Sequence, residues 1–211
     1  MTFHHLQGPR DYATVHAWMS GRVDSRARGE VGDLVLLLEH QPVVTAGRGG
    51  AVPDGAISVE RGGDVTWHGP GQLVAYPILA LEGAKRDLHR HLRALEQAVI
   101  DVLSAAGLPA VRDPRNTGVW LEMPLGPPRK VCSIGVACRR WVTWHGLALN
   151  LTPSMAEFGQ INPCGFAPSV MTRVADHLPD CPPLAAWVEP LAMALAGRLE
   201  VPFDGILAGE L

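Results

Sequence analysis

The sequence predicts an α+β fold, a central mixed or antiparallel sheet flanked by helices, in a single domain over residues 1–211. Two observations carry this reading. Segments of strand character are grouped in the middle of the chain with helical periodicities segregated around them, not the regular strand–helix alternation of a doubly wound sheet. With 47% apolar and 18% charged residues in a 211-residue chain, there is material for one sizeable core, and no linker or low-complexity stretch divides it.

Taken in order, Tyr12, Val15 and Met19 recur at helical spacing and predict a first helix from Arg10 to about Arg22. "DLVLLLEH" is continuously apolar, as a strand buried on both faces would be, and "PVVTAGR" follows as a second strand. "ISVERGGDVTWHGPGQLVAYPIL" alternates β-rich segments with Gly and Pro turns and predicts a hairpin system. Leu88, Leu92, Leu95, Val99 and Val102 predict a helix from Asp87 to Ala106, with Gly107 in the C-terminal capping position. "TGVWLE" and "KVCSIGVAC" read as strands joined by the turn-rich "MPLGPPR", and "GLALNL" as a third. Cys132 and Cys138 share strand parity with Ile134 and Val136, which predicts core positions on one sheet face. "PPLAAWVEPLAMALAGRL" is a late helix in which Pro190 predicts a kink or a second start.

Composition excludes several function classes. A net charge of −3 argues against a nucleic-acid binder. No apolar run is long enough to span a membrane, and "MTFHHLQGPRDY" lacks the regions of a signal peptide, so a soluble cytoplasmic protein is expected. Cys132, Cys138, Cys164 and Cys181 form no CxxC pair, which leaves no zinc-site or disulfide pattern. His4, His5, His89 and His91 sit in polar contexts and read as solvated surface.

Four features could carry chemistry. In "INPCGF", Cys164 stands between Pro163, which fixes its φ, and Gly165, which tolerates almost any; the bend holds a thiol in reach, although free cysteine is also among the most buried residue types. In "RGGDVTWHGPGQL", Gly62 and Gly63 beside Arg61 suit close approach of backbone N–H groups to a polar ligand, yet neither GxxxxGK[ST] nor GxGxxG is matched, and a plain hairpin explains the segment equally. "VTWHG" occurs twice, at Val65–Gly69 and Val142–Gly146, each read as a strand end before a turn, placing His68 and His145 near glycine. Among eighteen basic residues only Lys85 and Lys130 are lysines, and lysine, unlike arginine, can give up its proton when its surroundings favour it.

"RGGDVTWHGPGQLVAYPI", "KVCSIGVACRRWVTWHGLALN" and "INPCGF", in that order, resemble the lipoyl(octanoyl) transferases, protein-modifying acyltransferases of lipoate biosynthesis. The resemblance runs from "TAGR" at Thr45 to "PCGF" and implies the catalytic-domain fold of the lipoate and biotin protein ligases. It implies transfer of an octanoyl group from octanoyl-acyl carrier protein through a thioester to the ε-amine of a lysine. The acceptors would be lipoyl domains of 2-oxoacid dehydrogenase complexes and the glycine cleavage H protein. The thioester cysteine falls on Cys164 and the partner lysine on Lys130. Acyl-binding elements fall on Arg61, Gly62, Gly63, Asp64, Val65, Thr66, Trp67 and His68, on Ser133, Ile134 and Gly135, and on Gly146, Leu147 and Ala148. Trp67 and Trp144 stand where tyrosine is common in the family. No cofactor and no metal are implied. Small size at Ala148 is expected to serve room for the acyl chain more than stability, and Arg48, Arg139, Arg140 and Arg173 are candidates for docking an acidic carrier protein.

Overall fold

Strand β2 (Leu34–His40) is an internal strand of the main sheet, and its unbroken apolar run follows from burial on both faces. Leu36 and Leu38 pack into one core cluster and Val35 and Leu37 into another, as alternation along a strand requires. The computed structural model describes residues 1–160 and 168–209. Besides β2, its strands are β1 (Thr2–Arg10), β3 (Val43–Ala46), β4 (Ile57–Ser58), β5 (Val65–His68), β6 (Gln72–Ile78), β7 (Ala110–Asp113), β8 (Asn116–Leu121), β9 (Arg129–Arg139), β10 (Val142–Asn150) and β11 (Ile206–Ala208). The helices are α1 (Tyr12–Ala27), α2 (Leu88–Ala105) and α3 (Ala185–Leu199).

The main sheet has the order β11-β1-β2-β6-β10-β9-β8-β7. It is parallel from β11 through β1 to β2 and antiparallel beyond, the mixed sheet of an α+β fold. Helix α1 covers one face, with Val15, Met19 and Val23 meeting Leu36, Leu38, Val74 and Ile78. Asp11 caps it, accepting hydrogen bonds from the Thr14 N–H at 2.8 Å and hydroxyl at 2.7 Å. Helices α2 and α3 cover the other face, with Leu95, Val99, Leu103, Leu191 and Leu195 against Val35, Leu37, Leu73 and Leu149. Asp87 accepts from Arg90 N–H at 3.0 Å to start α2, and Gly107, at φ +80°, follows its end.

Four expectations are corrected. The segment around Arg61 is not a hairpin system. β5 pairs antiparallel with β3, and β4 pairs parallel with β3, in a separate three-stranded sheet, whereas β6 lies between β2 and β10. Gly71 makes this hand-over possible: its φ is +87°, and a Cβ there would lie 2.6 Å from Pro153 N. Second, α3 is one helix with Pro190 inside it, so the proline does not make a second start. Leu191, Ala192 and Leu195, buried just beyond the proline, hold it to the core. Third, His91 is buried and His4 and His5 half-buried, leaving only His89 exposed. His91 lies one turn before Leu95, on the inner face of α2. Fourth, Cys132 is core but Cys138, near the β9 end, is only half-buried.

Candidate active site

The β9–β10 register brings two of the sequence motifs side by side. Gly135 pairs with Gly146, Ile134 with Leu147 and Ser133 with Ala148. The loop carrying Arg61 and Gly62 crosses this pair, with Gly62 N–H donating to Val136 O at 2.9 Å. A Cβ on Gly135 would lie 2.8 Å from Gly62 O, so glycine is what allows loop and sheet to touch. Gly146 serves a different contact: its Cβ would collide with the β6 carbonyl of Ala75 and meet Pro77 Cδ at 2.8 Å. Its small size admits a neighbouring strand.

These elements enclose one cavity, lined by Tyr12, Arg61, Gly62, Gly63, Thr66, His68, Tyr76, Lys130, Ser133, Ile134, Gly135, His145, Gly146, Leu147 and Ala148. A second cavity shares Gly62, Gly63, Lys130, Ile134 and Gly135 and extends past Leu92 and Asn116. Asp64, Val65 and Trp67 do not line the first cavity. Alternation along β5 turns Thr66 and His68 toward it and Val65 and Trp67 away. Trp67 packs edge-on against Phe158 at 5.5 Å between centroids, and Asp64 accepts from Val65 N–H at 2.7 Å.

Arg61 is buried and donates to Thr45 O at 3.0 Å, Thr45 Oγ1 at 2.9 Å and Asp64 O at 2.8 Å, so it braces the glycine loop against β3. His68 begins a buried polar chain. Its Nδ1 lies 3.0 Å from Gln72 Oε1, while Gln72 Nε2 donates to Trp67 O at 3.1 Å and Asn150 Oδ1 at 2.9 Å. Because the Gln72 oxygen faces the ring, Nδ1 is the donor and Nε2 keeps its lone pair. Asn150 Nδ2 donates to Thr172 O at 3.0 Å, and Thr172 N–H donates to Lys130 O at 2.9 Å. Desolvation, reinforced by the charges of His40 and Arg61, lowers the His68 pKa to about 3, and the ring is neutral.

Lys130 is 6% exposed on β9, with Nζ 5.5 Å from the centroid of the Trp120 ring. Gly118 makes its berth: φ there is +128°, and a Cβ would lie 2.6 Å from Lys130 Cε and 3.3 Å from Nζ. Met171 bridges to Lys130, so the chain that resumes at Pro168 runs beside it. Cys164 and the rest of "INPCGF" lie outside the described residues. The three described thiols are not in the cavity. Burial pushes Cys132 up to about 12 and raises Cys138 and Cys181, away from thiolate.

Sequence reasoning missed Tyr12, Tyr76 and Gly118, and did not place His145 in the site. Tyr12 and Tyr76 look like ordinary core aromatics in their helix and strand patterns. The repeated "VTWHG" was the available signal for His145, but its second copy opens β10 and does not precede a turn; His145 holds φ 55° within the strand. Ala148 is a core residue packed with the α1 cluster as well as a cavity residue, so its small size serves stability too. Among the candidate docking arginines, Arg139 pairs with Asp24 and stacks over Trp144, and Arg173 pairs with Asp176, while Arg48 and Arg140 are exposed.

Residues 11–196 match the family described as the lipoyl protein ligase A/B catalytic domain. An octanoyltransferase of Geobacter sulfurreducens is 46% identical over 171 residues, covering 78% of this chain and 71% of its own. One from Pelobacter propionicus is 38% identical over 206 residues, covering 95% and 92%. The chain belongs to the lipoyl(octanoyl) transferase family. It is an acyltransferase.

Solved structures place the family fold among the ligases. A bipartite lipoate protein ligase from Thermoplasma acidophilum superposes with a TM-score of 0.72 at 16% identity, over 98% of this chain and 88% of that one. A biotin protein ligase from Leishmania major gives 0.53 at 16% identity, over 94% and 73%. At these identities the likeness is one of fold, and it is the fold the sequence predicted.

Proposed function

We propose that this transferase moves an octanoyl group from octanoyl-acyl carrier protein to Cys164, and from that thioester to the ε-amine of a lysine on a lipoyl domain, in the cytoplasm and within a single domain of residues 1–211. Acceptors of this kind are the lipoyl domains of 2-oxoacid dehydrogenase complexes and the glycine cleavage H protein. The observation that carries the reading is convergence: the glycine loop, Ser133–Gly135, Gly146–Ala148 and Lys130 come from distant parts of the sequence and line one cavity. The thiolate attacks the donor carbonyl and carrier-protein thiol leaves; the acceptor amine then attacks the Cys164 thioester, losing a proton as the cysteine is released. Lys130 is assigned the movement of that proton. Backbone N–H groups near Ser133–Gly135 are candidates to hold the oxyanion. Ile134, Leu147 and Ala148 supply apolar wall for the acyl chain. Among the described residues, no helix is long and apolar enough to cross a membrane.

A ligase of the same fold would activate a free acid with ATP and would need no cysteine. The octanoyltransferase names of the relatives favour transfer from a thioester. Incubating the protein with octanoyl carrier protein and an isolated lipoyl domain separates the two. Octanoylation of the lipoyl lysine without ATP is the expected result. Product that appears only with octanoate and ATP would make the chain a ligase.

A further inference from the structure

Outside the polar chain from His68 to Lys130, three side chains from different elements meet beside the cavity. His16 comes from α1, Glu60 from the residue before Arg61, and His145 from β10. His16 Nε2 lies 2.9 Å from Glu60 Oε2, and His145 Nε2 lies 3.8 Å from the same oxygen. One donor atom from each falls within 4.8 Å of the other two. His145 is 2% exposed, and its Nε2 has no hydrogen-bond partner, since 3.8 Å is too long for one.

A tetrahedral zinc ion with bonds of about 2.1 Å sets its donors about 3.4 Å apart. The two measured spacings fall on either side of that value. Two imidazoles and a carboxylate are also a donor set that borderline divalent ions favour, and one that leaves a coordination position open. We propose that His16 Nε2, the Glu60 carboxylate and His145 Nε2 form a binding site for a divalent ion of the zinc class at the edge of the cavity.

The protonation states suit it. Desolvation by burial, reinforced by the Arg61 charge, keeps His145 neutral, and against desolvation the hydrogen bond to His16 helps hold Glu60 ionised. Arg61, the cation whose charge bears on His145, has its guanidinium donating to Thr45, Gly62 and Asp64 oxygens. His16 and Glu60 are half-buried, which gives an ion a way in from solvent. The three positions lie 44 and 85 residues apart in the chain, so no ligand spacing in the sequence could announce the site. The inference rests on donor geometry and is independent of the acyl-transfer reading.

Cobalt titration of the tag-free full chain tests it, because cobalt(II) reports its ligands in its visible spectrum and thiolate ligation adds a near-ultraviolet charge-transfer band. The expected result is one Co2+ per chain, without the thiolate band and displaced by Zn2+. His16→Gln and Glu60→Gln should each weaken binding at least about tenfold while their metal-free melting curves match the parent. Should one variant fail to fold, the other carries the comparison. A thiolate band, equal affinity in a folded variant, or no binding up to millimolar Co2+ would overturn the site.

Discussion

Lys130 is where charge and proton chemistry can be told apart. If it only lowered the Cys164 pKa, the gain would be small: a drop of about 1.5 units raises the thiolate fraction roughly 15-fold but lowers intrinsic nucleophilicity about 5-fold. A net few-fold effect is too little to explain a buried lysine in a dedicated berth. Lys130→Arg keeps the positive charge and cannot release a proton, so it should slow octanoyl transfer far more than a few-fold. Near-normal turnover of that variant, measured with the lipoyl domain as acceptor, would remove proton handling from the mechanism. The residues alone singled out Arg61 with its glycines, the "VTWHG" histidines and Lys130; Thr66, Ser133 and Gly146, which line the same cavity, entered only through the resemblance of the ordered motifs to the family. Tyr12 and Tyr76 were not legible: an aromatic on an apolar helix stripe or inside a central strand has the same pattern whether it borders a cavity or fills a core. Asp64, Val65 and Trp67 share a motif with cavity residues, yet strand alternation turns Val65 and Trp67 to the other side.

At the scale of elements, glycines decide where strands and loops can touch. Gly118 on β8 is the sharpest case: its φ is +128°, and an added Cβ would lie 2.6 Å from both Lys130 Cε and Cys132 O, which leaves no space for a side chain. Gly118→Ala should therefore destabilise the protein by about 1–3 kcal/mol, or roughly 2–12 °C in melting temperature for a chain of this size, and should also impair transfer by displacing Lys130. Unchanged melting and unchanged transfer would mean that the berth does not position the lysine. The long periodic elements α1, α2, β2 and β9 were readable because a helical or apolar pattern persists over several turns or many residues, whereas β10 was read only from Gly146 on, with a turn placed inside it. β1, β7 and β11 were not, since each is short or broken by polar residues, Gly or Pro and takes its shape from a neighbour. The false hairpin has the same cause: Gly69-Pro70-Gly71 marks a turn, but only tertiary packing against Pro153 decides which sheet the chain enters next.

For the molecule as a whole, buried histidines tie stability to pH. Desolvation lowers His40 and His91 to about 4 and His68 and His145 to about 3, whereas in the unfolded chain they titrate near 6.5. Between those values the unfolded state binds more protons, so stability falls as pH falls, and the contribution is intact above about pH 6.5. Each such group adds at most about 1.4 kcal/mol per pH unit to the slope. Urea denaturation at steps from pH 7 to 4.5 should show a steep loss, and His91→Gln, away from the cavity, should make it shallower; an unchanged slope would contradict neutral burial of His91. A covalent acyl intermediate on Cys164, the position that the resemblance of "INPCGF" implies, is the central proposal. The most direct test is to incubate the protein with octanoyl carrier protein alone, without ATP or acceptor, measure its intact mass, and map the adduct. One octanoyl group on Cys164, released by hydroxylamine, is the predicted result; no adduct, or an adduct on Cys132, Cys138 or Cys181, would contradict the account.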